Sequence, residues 1–385
     1  MRGVSFGNDM RVDDLTTPAT LIDYDRLVQN IKNMANKARE HQVALRPHVK
    51  THKCVEIAEI QRNYGASGIT VSTMGEAMFF AENGFDDITL AVPLAPDKIS
   101  AAAKLAIKIK FRVIIDHPAA LKELRSRFRK AKEELDVLLK VDCNYHRSGV
   151  DPSKKGSLAL AEKIHQARGL NFAGILTHSG HSYYAKSVDE IKFIAEEEQD
   201  IMLKFARDLR KRSKALAPRI VSIGSTPAMM LSDSIKKGIT EVRPGSYVFF
   251  DYTQVALGVC KPYHCSLTVL SSIISAYPDR VILDAGATAL SLDTGPRHLH
   301  PDCGFGKIIS DYHEGDFAKY TDITGLSQEH GKVKIGKGSP LKGLVPGNRV
   351  RILPNHSCLA ANLSSRFYAT SGDEILDIWE TYMDR

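Results

Sequence analysis

Residues 44–53 read ALRPHVKTHK and place three basic side chains at alternate positions. Side chains two residues apart on a strand share one face, so Arg46, His48 and Lys50 are expected to point the same way. The segment lies between two amphipathic helical patterns, a position typical of a strand buried on both faces. An anionic ligand, or a carbonyl compound condensed with Lys50, would neutralise or use these groups. A solvated edge strand is the alternative.

Two turns rich in glycine and hydroxyl side chains indicate where an anion would bind. They contain Gly224, Ser225 and Thr226 in IGSTPAM, and Gly245 and Ser246 in RPGSY. Pro227 suits the first turn of a helix, whose free N–H groups cradle phosphate. Ordinary helix capping by the hydroxyls is the alternative. A phosphate site together with Lys50 suggests pyridoxal phosphate (PLP), with Lys50 bonded to the cofactor.

These residues follow short runs rich in β-branched residues, which alternate with helical patterns such as HPAALKELRSRFRKAKEE. The predicted strands cover residues 44–50, 68–73, 87–93, 111–116, 136–143, 172–178, 220–226 and 241–247. Eight strand–helix units in about 220 residues are typical of a (β/α)8 TIM-type barrel, whose active site lies at the carboxyl ends of the strands. A doubly wound open sheet is the alternative, although no GxGxxG segment follows an early strand.

The pattern changes after residue 255, where β-rich segments such as NRVRILP and EILDIWETY replace the long helices. We therefore predict an α/β fold with two domains. A PLP-binding barrel covers residues 20–255, and a second, mostly β domain covers residues 256–385 with residues 1–19. A strand from the first two dozen residues is expected to join the second domain.

The composition is that of an ordinary globular protein. The 385 residues include 43% hydrophobic and 25% charged residues, with a net charge of +7. The basic residues are dispersed, so we expect anionic small molecules rather than nucleic acid as partners. No signal peptide or membrane-spanning run is recognisable, and the six scattered cysteines form no CxxC pair. We expect a reduced, cytoplasmic protein without membrane contact.

Seven motifs, in this order, resemble those of the fold-type III PLP enzymes of the D-threonine aldolase and D-serine dehydratase group, whose barrel is similar to that of alanine racemase. They are RPHVKTHK, DCNYHRSGV, IGSTPAM, EVRPGSYVFFD, DAGATALS, LSQEHG and PNHSC. The resemblance implies that Lys50 binds PLP covalently and that both glycine-containing turns bind its phosphate. It also implies that Arg147 lies near the phenolic oxygen of PLP and that Arg243 faces the pyridine nitrogen. For Arg243, pairing with a carboxylate under the barrel is the alternative.

The last motif, PNHSC, carries His356 and Cys358, which a continuing strand would place on one face. Within the family this pair resembles a metal site. A histidine with a cysteine favours Zn²⁺, with another divalent metal as the alternative. Two protein ligands leave positions for water and for a substrate, whose β-hydroxyl would become a better leaving group.

The segment THSGHSYY supplies His178 and His181 as candidates for proton transfer during catalysis. A hydrogen-bonded structural role is the alternative for each histidine. Tyr183 in the same segment is a further candidate for binding the cofactor.

Three functions are consistent with these residues. In dehydration, Lys50 removes the Cα proton and the metal assists loss of the β-hydroxyl, so D-serine gives pyruvate and ammonia. In retro-aldol cleavage, a histidine deprotonates the β-hydroxyl, so D-threonine gives glycine and acetaldehyde. An amino-acid racemase or a non-catalytic PLP carrier is the third. The His-x-Cys pair resembles the dehydratases, whereas family aldolases tend to show His-x-Asp. The resemblance thus implies a lyase of the D-serine dehydratase type, acting on D-3-hydroxy amino acids as a homodimer.

Overall fold

The computed structural model of the protein describes residues 10–129 and 134–384. Within these residues the chain forms two compact units. The β unit comprises residues up to Lys32, Thr51–Glu56 and Ser246–Met383, and the barrel unit comprises Asn33–Lys50, Ile57–Gly245 and Asp384. The predicted division of the domains between residues 255 and 256 stays a prediction. Residues 1–9, which were assigned to the predicted second domain, lie outside the described part of the chain.

The elements are numbered in chain order. The strands are β1 (Ala19–Asp23), β2 (Ala44–Leu45), β3 (Ile69–Val71), β4 (Asp87–Pro93), β5 (Lys110–Ile115), β6 (Leu135–Lys140), β7 (Leu170–Leu176), β8 (Ile220–Ile223), β9 (Glu241–Val242), β10 (Leu267–Tyr277), β11 (Arg280–Leu283), β12 (Lys307–Asp311), β13 (Asp316–Phe317), β14 (Thr321–Leu326), β15 (Gly331–Ile335), β16 (Arg349–Leu353), β17 (Arg366–Ser371) and β18 (Glu374–Glu380). The α-helices are α1 (Tyr24–Glu40), α2 (Val55–Asn63), α3 (Met74–Glu82), α4 (Ile99–Ala106), α5 (Pro118–Phe128), α6 (Lys155–His165), α7 (Val188–Arg212), α8 (Thr226–Leu231), α9 (Tyr252–Ala256), α10 (Ala287–Leu290) and α11 (Ser357–Ala361). The predicted helical segment that contains α5 extends into residues 130–133, which lie outside the described residues.

The barrel unit is built on a parallel sheet of eight strands in the order β2-β9-β8-β7-β6-β5-β4-β3. His48, just beyond β2, pairs in parallel with Thr70 of β3, and the Thr70 N–H donates to the Pro47 carbonyl oxygen over 2.8 Å. The two edges of the sheet therefore meet, and the strands close into a barrel. This arrangement confirms the predicted (β/α)8 fold class.

Two of the predicted strands are much shorter than expected, and each ends two residues before a proline. β2 ends at Leu45, before Arg46-Pro47, and β9 ends at Val242, before Arg243-Pro244. Proline lacks the N–H that a sheet ladder needs, and it restricts the residue before it. Beyond these points the pairing is reduced to isolated contacts, such as the His48 N–H donating to the Pro244 carbonyl oxygen over 3.0 Å.

The long helix α7 shows how the barrel is covered. The Ser187 hydroxyl accepts a hydrogen bond from the Glu190 N–H over 3.1 Å and so caps the first turn. Its buried side chains recur at helical spacing: Ile191, Ile194, Ala195, Glu198, Gln199, Met202, Phe205 and Leu209. Glu198 is the one charged residue on this mainly apolar stripe.

The β unit contains a sheet whose main path runs β13-β12-β16-β10-β1-β17-β18. From this path, β11 pairs with β10, β15 pairs with β11, and β14 pairs with β15. β1 pairs antiparallel with β10 and parallel with β17, so the predicted strand from the start of the chain does join this region. The core of the unit is aliphatic and includes Val269, Ile273, Leu283, Val333 and Ile352.

Candidate active site

Lys50 lies in a 3-10 turn, Val49–Thr51, rather than on the predicted strand. Arg46 does not share a ligand-binding face with it. The Arg46 guanidinium bonds to the Glu241 carboxylate over 2.7 Å and to the Asp87 carboxylate over 2.6 Å. The expectation that one anionic ligand neutralises all three basic residues of the segment is therefore wrong for Arg46, because two carboxylates of the fold already pair with it.

The turn after β8 holds the first predicted phosphate-binding residues. Gly224 has a φ of +117°, a conformation that favours glycine, and its N–H donates to Glu198 over 3.2 Å. The Ser225 hydroxyl caps α8 by accepting from the Ala228 N–H over 3.3 Å. The Thr226 hydroxyl is buried and has no hydrogen-bond partner among the described residues. Thr226 is therefore the hydroxyl in this turn that remains available to a ligand.

Glu198 links the loops that follow β7 and β8. Its carboxylate accepts from the Ser179 N–H over 3.0 Å and from the Ser179 hydroxyl over 2.9 Å, besides the bond from Gly224. Burial raises the pKa of this carboxyl group. Glu198 was not among the residues predicted for the site. An acidic residue on the apolar stripe of α7 is the signal that could have revealed it.

Two further cations are buried near the carboxyl ends of the strands. Arg243 donates to the Ser222 hydroxyl and the Thr177 carbonyl oxygen, and burial lowers its pKa to about 10. Lys140, the last residue of β6, is 4% exposed, and burial lowers its pKa to about 8. Its ammonium group makes no hydrogen bond or ion pair with a described residue. Lys140 was not among the predicted site residues, although a lysine at the end of a buried strand is the signal that drew attention to Lys50.

His178 and His181 lie close together around one tyrosine. His178 Nδ1 lies 2.9 Å from the Gly224 carbonyl oxygen, so this nitrogen carries the proton and Nε2 keeps a lone pair. Burial lowers the pKa of His178 well below its ordinary value and also lowers the pKa of His181. The Tyr145 ring stacks on His181, with centroids 5.8 Å apart, and meets His178 edge-on at 6.2 Å. Both imidazoles are thus held neutral near pH 7.

The remaining predicted residues occupy varied positions. Arg147 is exposed, with its guanidinium 5.1 Å from the Tyr145 ring centroid. Tyr183 is half-buried in the 3-10 turn that also contains His181. Gly245 is half-buried, and Ser246 is buried at the start of the next turn. The cofactor-binding roles assigned to these residues stay predictions.

His356 and Cys358 lie at the start of a helix, not along a strand. β16 ends at Leu353, His356 immediately precedes α11, and Cys358 is in its first turn. The continuing-strand expectation is therefore wrong, because Pro354 ends the strand before the motif. The helical turn nevertheless keeps the two side chains close enough for the imidazole and the thiol to shift each other's pKa.

Neighbouring residues hold both members of this pair in place. His356 Nδ1 lies 3.4 Å from an Asp293 carboxylate oxygen, and the Cys358 thiol donates to the Thr51 hydroxyl over 3.4 Å. Thr51 directly follows Lys50 in the sequence. Burial alone would raise the pKa of Cys358, but His356 lowers it below its ordinary value. A thiol that ionises readily beside an imidazole is the donor set that Zn²⁺ prefers.

The donor set around His356 and Cys358 is small. Across residues 10–129 and 134–384, the structure contains no group of three or more histidine, cysteine, aspartate or glutamate side chains arranged to hold a metal. A metal bound by this pair would therefore keep coordination positions for other ligands.

In the same described residues, no helix is long and apolar enough to cross a bilayer.

Comparison with known protein families identifies the class. The family model described as alanine racemase, N-terminal domain, matches residues 22–253, which is more than half of the chain. A serine dehydratase domain model matches residues 266–370. Fold and matches together define an alanine racemase-like, fold-type III enzyme, a class for which PLP is the implied cofactor. The chain belongs to the group of this family that contains the D-serine dehydratases and D-threonine aldolases, as its motifs predicted.

The relatives are lyases that align along nearly their whole length. D-threo-3-hydroxyaspartate dehydratase of Delftia sp. (strain HT23) is 36% identical over 374 residues, covering 95% of this chain and 97% of the relative. D-serine dehydratase of Dictyostelium discoideum is 35% identical over 393 residues, covering 95% and 96%. D-threonine aldolase of Arthrobacter sp. is 30% identical over 374 residues, covering 96% and 92%.

The solved structure of the Delftia dehydratase has a TM-score of 0.91 to this chain at 34% identity, covering 98% of this chain and 100% of the other. Two further solved structures, both described as D-threo-3-hydroxyaspartate dehydratase, carry a histidine-to-alanine and a cysteine-to-alanine substitution two residues apart. The cysteine variant is described as a metal-free form.

Proposed function

We propose that this protein is a PLP- and zinc-dependent dehydratase of D-3-hydroxy amino acids, converting D-serine to pyruvate and ammonia. The observation that carries the proposal is the neighbouring pair His356 and Cys358, with Asp293 3.4 Å from His356 Nδ1. The two relatives at 36% and 35% identity, both named as dehydratases, support it. A homodimer, implied by the family resemblance, is part of the proposal.

The residues near the carboxyl ends of the barrel strands fit PLP. Lys50 would hold the cofactor covalently, and the buried Thr226 hydroxyl would donate to its phosphate. The buried cations Arg243 and Lys140 match an anionic ligand, because the fold itself leaves them without a carboxylate ion pair. When bound, PLP supplies an electron sink for negative charge that develops at the substrate Cα.

The His356–Cys358 pair fits a catalytic zinc site. His356 and Cys358 would be the protein ligands, and Asp293 would orient the imidazole through its hydrogen bond. The two substituted structures of D-threo-3-hydroxyaspartate dehydratase support this assignment, since their histidine and cysteine have the same spacing. A bound Zn²⁺ would act as a Lewis acid on the substrate β-hydroxyl and improve it as a leaving group.

Proton transfer is assigned to three side chains of this chain. Lys50 is the proposed base for the Cα proton. His178 offers the lone pair of Nε2, because Nδ1 is committed to the Gly224 carbonyl oxygen. His181 is a second candidate donor or acceptor, since burial also keeps it neutral near pH 7.

A D-threonine aldolase is the second candidate function. The neutral His178 and His181 favour it, because retro-aldol cleavage needs a base for the β-hydroxyl proton. The relative at 30% identity that is named D-threonine aldolase also supports it. An aldolase and a dehydratase require similar residues, so the products decide between them.

The deciding experiment supplies D-threonine, D-serine and D-threo-3-hydroxyaspartate separately to the PLP-loaded enzyme, with and without a chelator. A 2-oxo acid and ammonia are the expected products, and activity should disappear after chelation and return with Zn²⁺. Glycine and an aldehyde would instead establish the aldolase. Neither set of products from any substrate would refute both lyases and favour a racemase or PLP carrier.

Two matched cysteine variants distinguish the role of the metal from that of the cofactor. Cys358→Ala should abolish zinc binding and dehydration while the PLP absorbance remains. Cys303→Ala is the control, since Cys303 is also a buried thiol but lies outside the His356–Cys358 pair. Full activity of the zinc-free Cys358→Ala enzyme would remove the metal from the mechanism. Light scattering tests the proposed homodimer.

A further inference from the structure

Tyr145 sits against both candidate proton-transfer histidines of the barrel unit. Its ring stacks on His181 at 28° between planes, with centroids 5.8 Å apart, and meets His178 edge-on at 6.2 Å. The Arg147 guanidinium lies over the same ring at 5.1 Å. All these contacts are made by the aromatic ring of Tyr145.

Gly180 provides the space in which this ring fits. A Cβ built on Gly180 would lie 2.5 Å from Cζ and 2.8 Å from Cδ1 of Tyr145. The backbone of Gly180 is outside the left-handed region, so an alanine could adopt its conformation. The residue must be small because of the Tyr145 ring, not because of the backbone.

The two histidines differ in what fixes their rings. His178 is oriented by its hydrogen bond to the Gly224 carbonyl oxygen. His181 Nδ1 is buried and has no hydrogen-bond partner among the described residues. An imidazole is normally oriented by a hydrogen bond to its second nitrogen. For His181, the stack on Tyr145 takes the place of that bond.

We propose that Tyr145 is a positioning residue that orients the His181 imidazole for proton transfer through ring stacking, and that Gly180 exists to admit the Tyr145 ring. The inference rests on the proposed lyase function. It assigns to Tyr145 a role that none of the predicted site residues covers.

The kinetic test compares Tyr145→Leu with Tyr145→Phe in the PLP- and zinc-loaded enzyme. Loss of the ring should lower kcat on the order of tenfold to a hundredfold with little change in KM, as expected when a proton-transfer group is misplaced. Tyr145→Phe keeps the ring and should restore most of kcat. A Tyr145→Phe enzyme as slow as Tyr145→Leu would overturn the proposal and assign the chemistry to the hydroxyl. A Tyr145→Leu enzyme with the original kcat would overturn it as well.

A double-mutant cycle tests the contact between Gly180 and Tyr145. Gly180→Ala should lower kcat about as much as Tyr145→Leu, and the double variant should be no slower than either, because the clash needs both groups. Gly156→Ala is the matched control, since a Cβ there meets no atom within 4 Å. Losses that simply multiply in the double variant would show that Gly180 does not act through Tyr145.

A readout independent of catalysis completes the test. The His181 ring resonance in ¹³C-histidine-labelled protein should carry a ring-current shift that Tyr145→Phe preserves and Tyr145→Leu removes. An unchanged His181 resonance in Tyr145→Leu would refute the stacking role. If the native enzyme forms no lyase product, the proposed function fails, and this spectrum alone decides whether Tyr145 orients His181.

Discussion

Buried cations lie at both ends of the barrel strands, but the groups that surround them differ. Near the amino ends, Arg46 bonds to Glu241 over 2.7 Å and to Asp87 over 2.6 Å. Near the carboxyl ends, Arg243 bonds only to uncharged oxygens, and Lys140 has no hydrogen-bond or ion-pair partner among the described residues. The first group is neutralised by the fold, and the second is not.

The pKa values record this difference. Burial alone would lower the pKa of Arg46, but Glu241 and Asp87 raise it above its ordinary value. Burial lowers the pKa of Arg243 to about 10 and that of Lys140 to about 8, and nearby acids do not compensate. A buried cation therefore indicates a ligand site only where the protein provides no carboxylate for it. The buried cation near the amino ends is thus paired within the fold, whereas those near the carboxyl ends match the proposed anionic cofactor.

Breaking the buried ion pairs of Arg46, near the amino ends of the strands, should cause the largest loss of folding stability. Arg46→Met removes the partner of two carboxylates, leaving Glu241 buried without a cation, so the free energy of unfolding should fall by about 3–5 kcal/mol. Denaturant unfolding measures this change.

The control for Arg46→Met is Lys192→Met. It breaks the ion pair with Asp233, whose side chain is 80% exposed, and should cost at most about 1 kcal/mol. Equal losses in the two variants would contradict the distinction between a buried and a surface pair.

Removing Lys140, which has no carboxylate partner, should instead raise the free energy of unfolding. The folded-state pKa of Lys140 is about 8, below its ordinary 10.5, so the folded protein binds protons less readily than the unfolded chain. The buried charge of Lys140 therefore destabilises the folded protein. This destabilisation is complete below pH 8 and is relieved as the pH rises towards 10.5. Without added PLP at pH 7, Lys140→Met should therefore stabilise the protein by about 1–3 kcal/mol. The same variant should bind PLP more weakly, since one cation facing the anion is lost.

Denaturant unfolding at pH 7 and at pH 10, with a PLP titration by absorbance, measures both effects of Lys140→Met. Lys104→Met, an exposed change on α4, is the control. A destabilised Lys140→Met protein would show that the lysine has a structural role. Lys140 would then no longer count among the residues proposed to bind the anion.

The sequence predicted the eight barrel strands because their β-branched runs are local signals. It also placed Lys50, the turn at Gly224–Thr226 and His178 near the carboxyl ends, because in a barrel these ends meet on one face. It located the His356–Cys358 pair through a family motif, although the pair lies at a helix start.

The rest depends on contacts between residues distant in sequence. Alternation along ALRPHVKTHK could not reveal that Arg46 pairs with Glu241, 195 positions away. Nor could it show that the strand ends two residues before Pro47, which removes Lys50 from the face of Arg46. Tyr145 and Gly180 lie in the quoted segments DCNYHRSGV and THSGHSYY, but the sequence does not show that they touch. Their contact forms only when the loops after β6 and β7 meet.

The smallest expected effect is the acid sensitivity of the amino-end ion pairs. Burial alone would raise the pKa of Asp87, but hydrogen bonds and charges from Arg112 and Arg46 lower it from 3.8 to about 2. Because the folded-state pKa is depressed, this stabilisation is complete above about pH 4 and is lost as the pH falls through about 2. It amounts to about 2 kcal/mol. Urea unfolding at several pH values between 5 and 2 should show this loss. Asp87→Asn should flatten the slope, whereas Asn at the exposed Asp233 should leave it nearly unchanged. An unaltered slope in Asp87→Asn would mean that the ion pairs near the amino ends do not set the acid stability of the barrel, and the contrast with Lys140 would then rest on Arg46 alone.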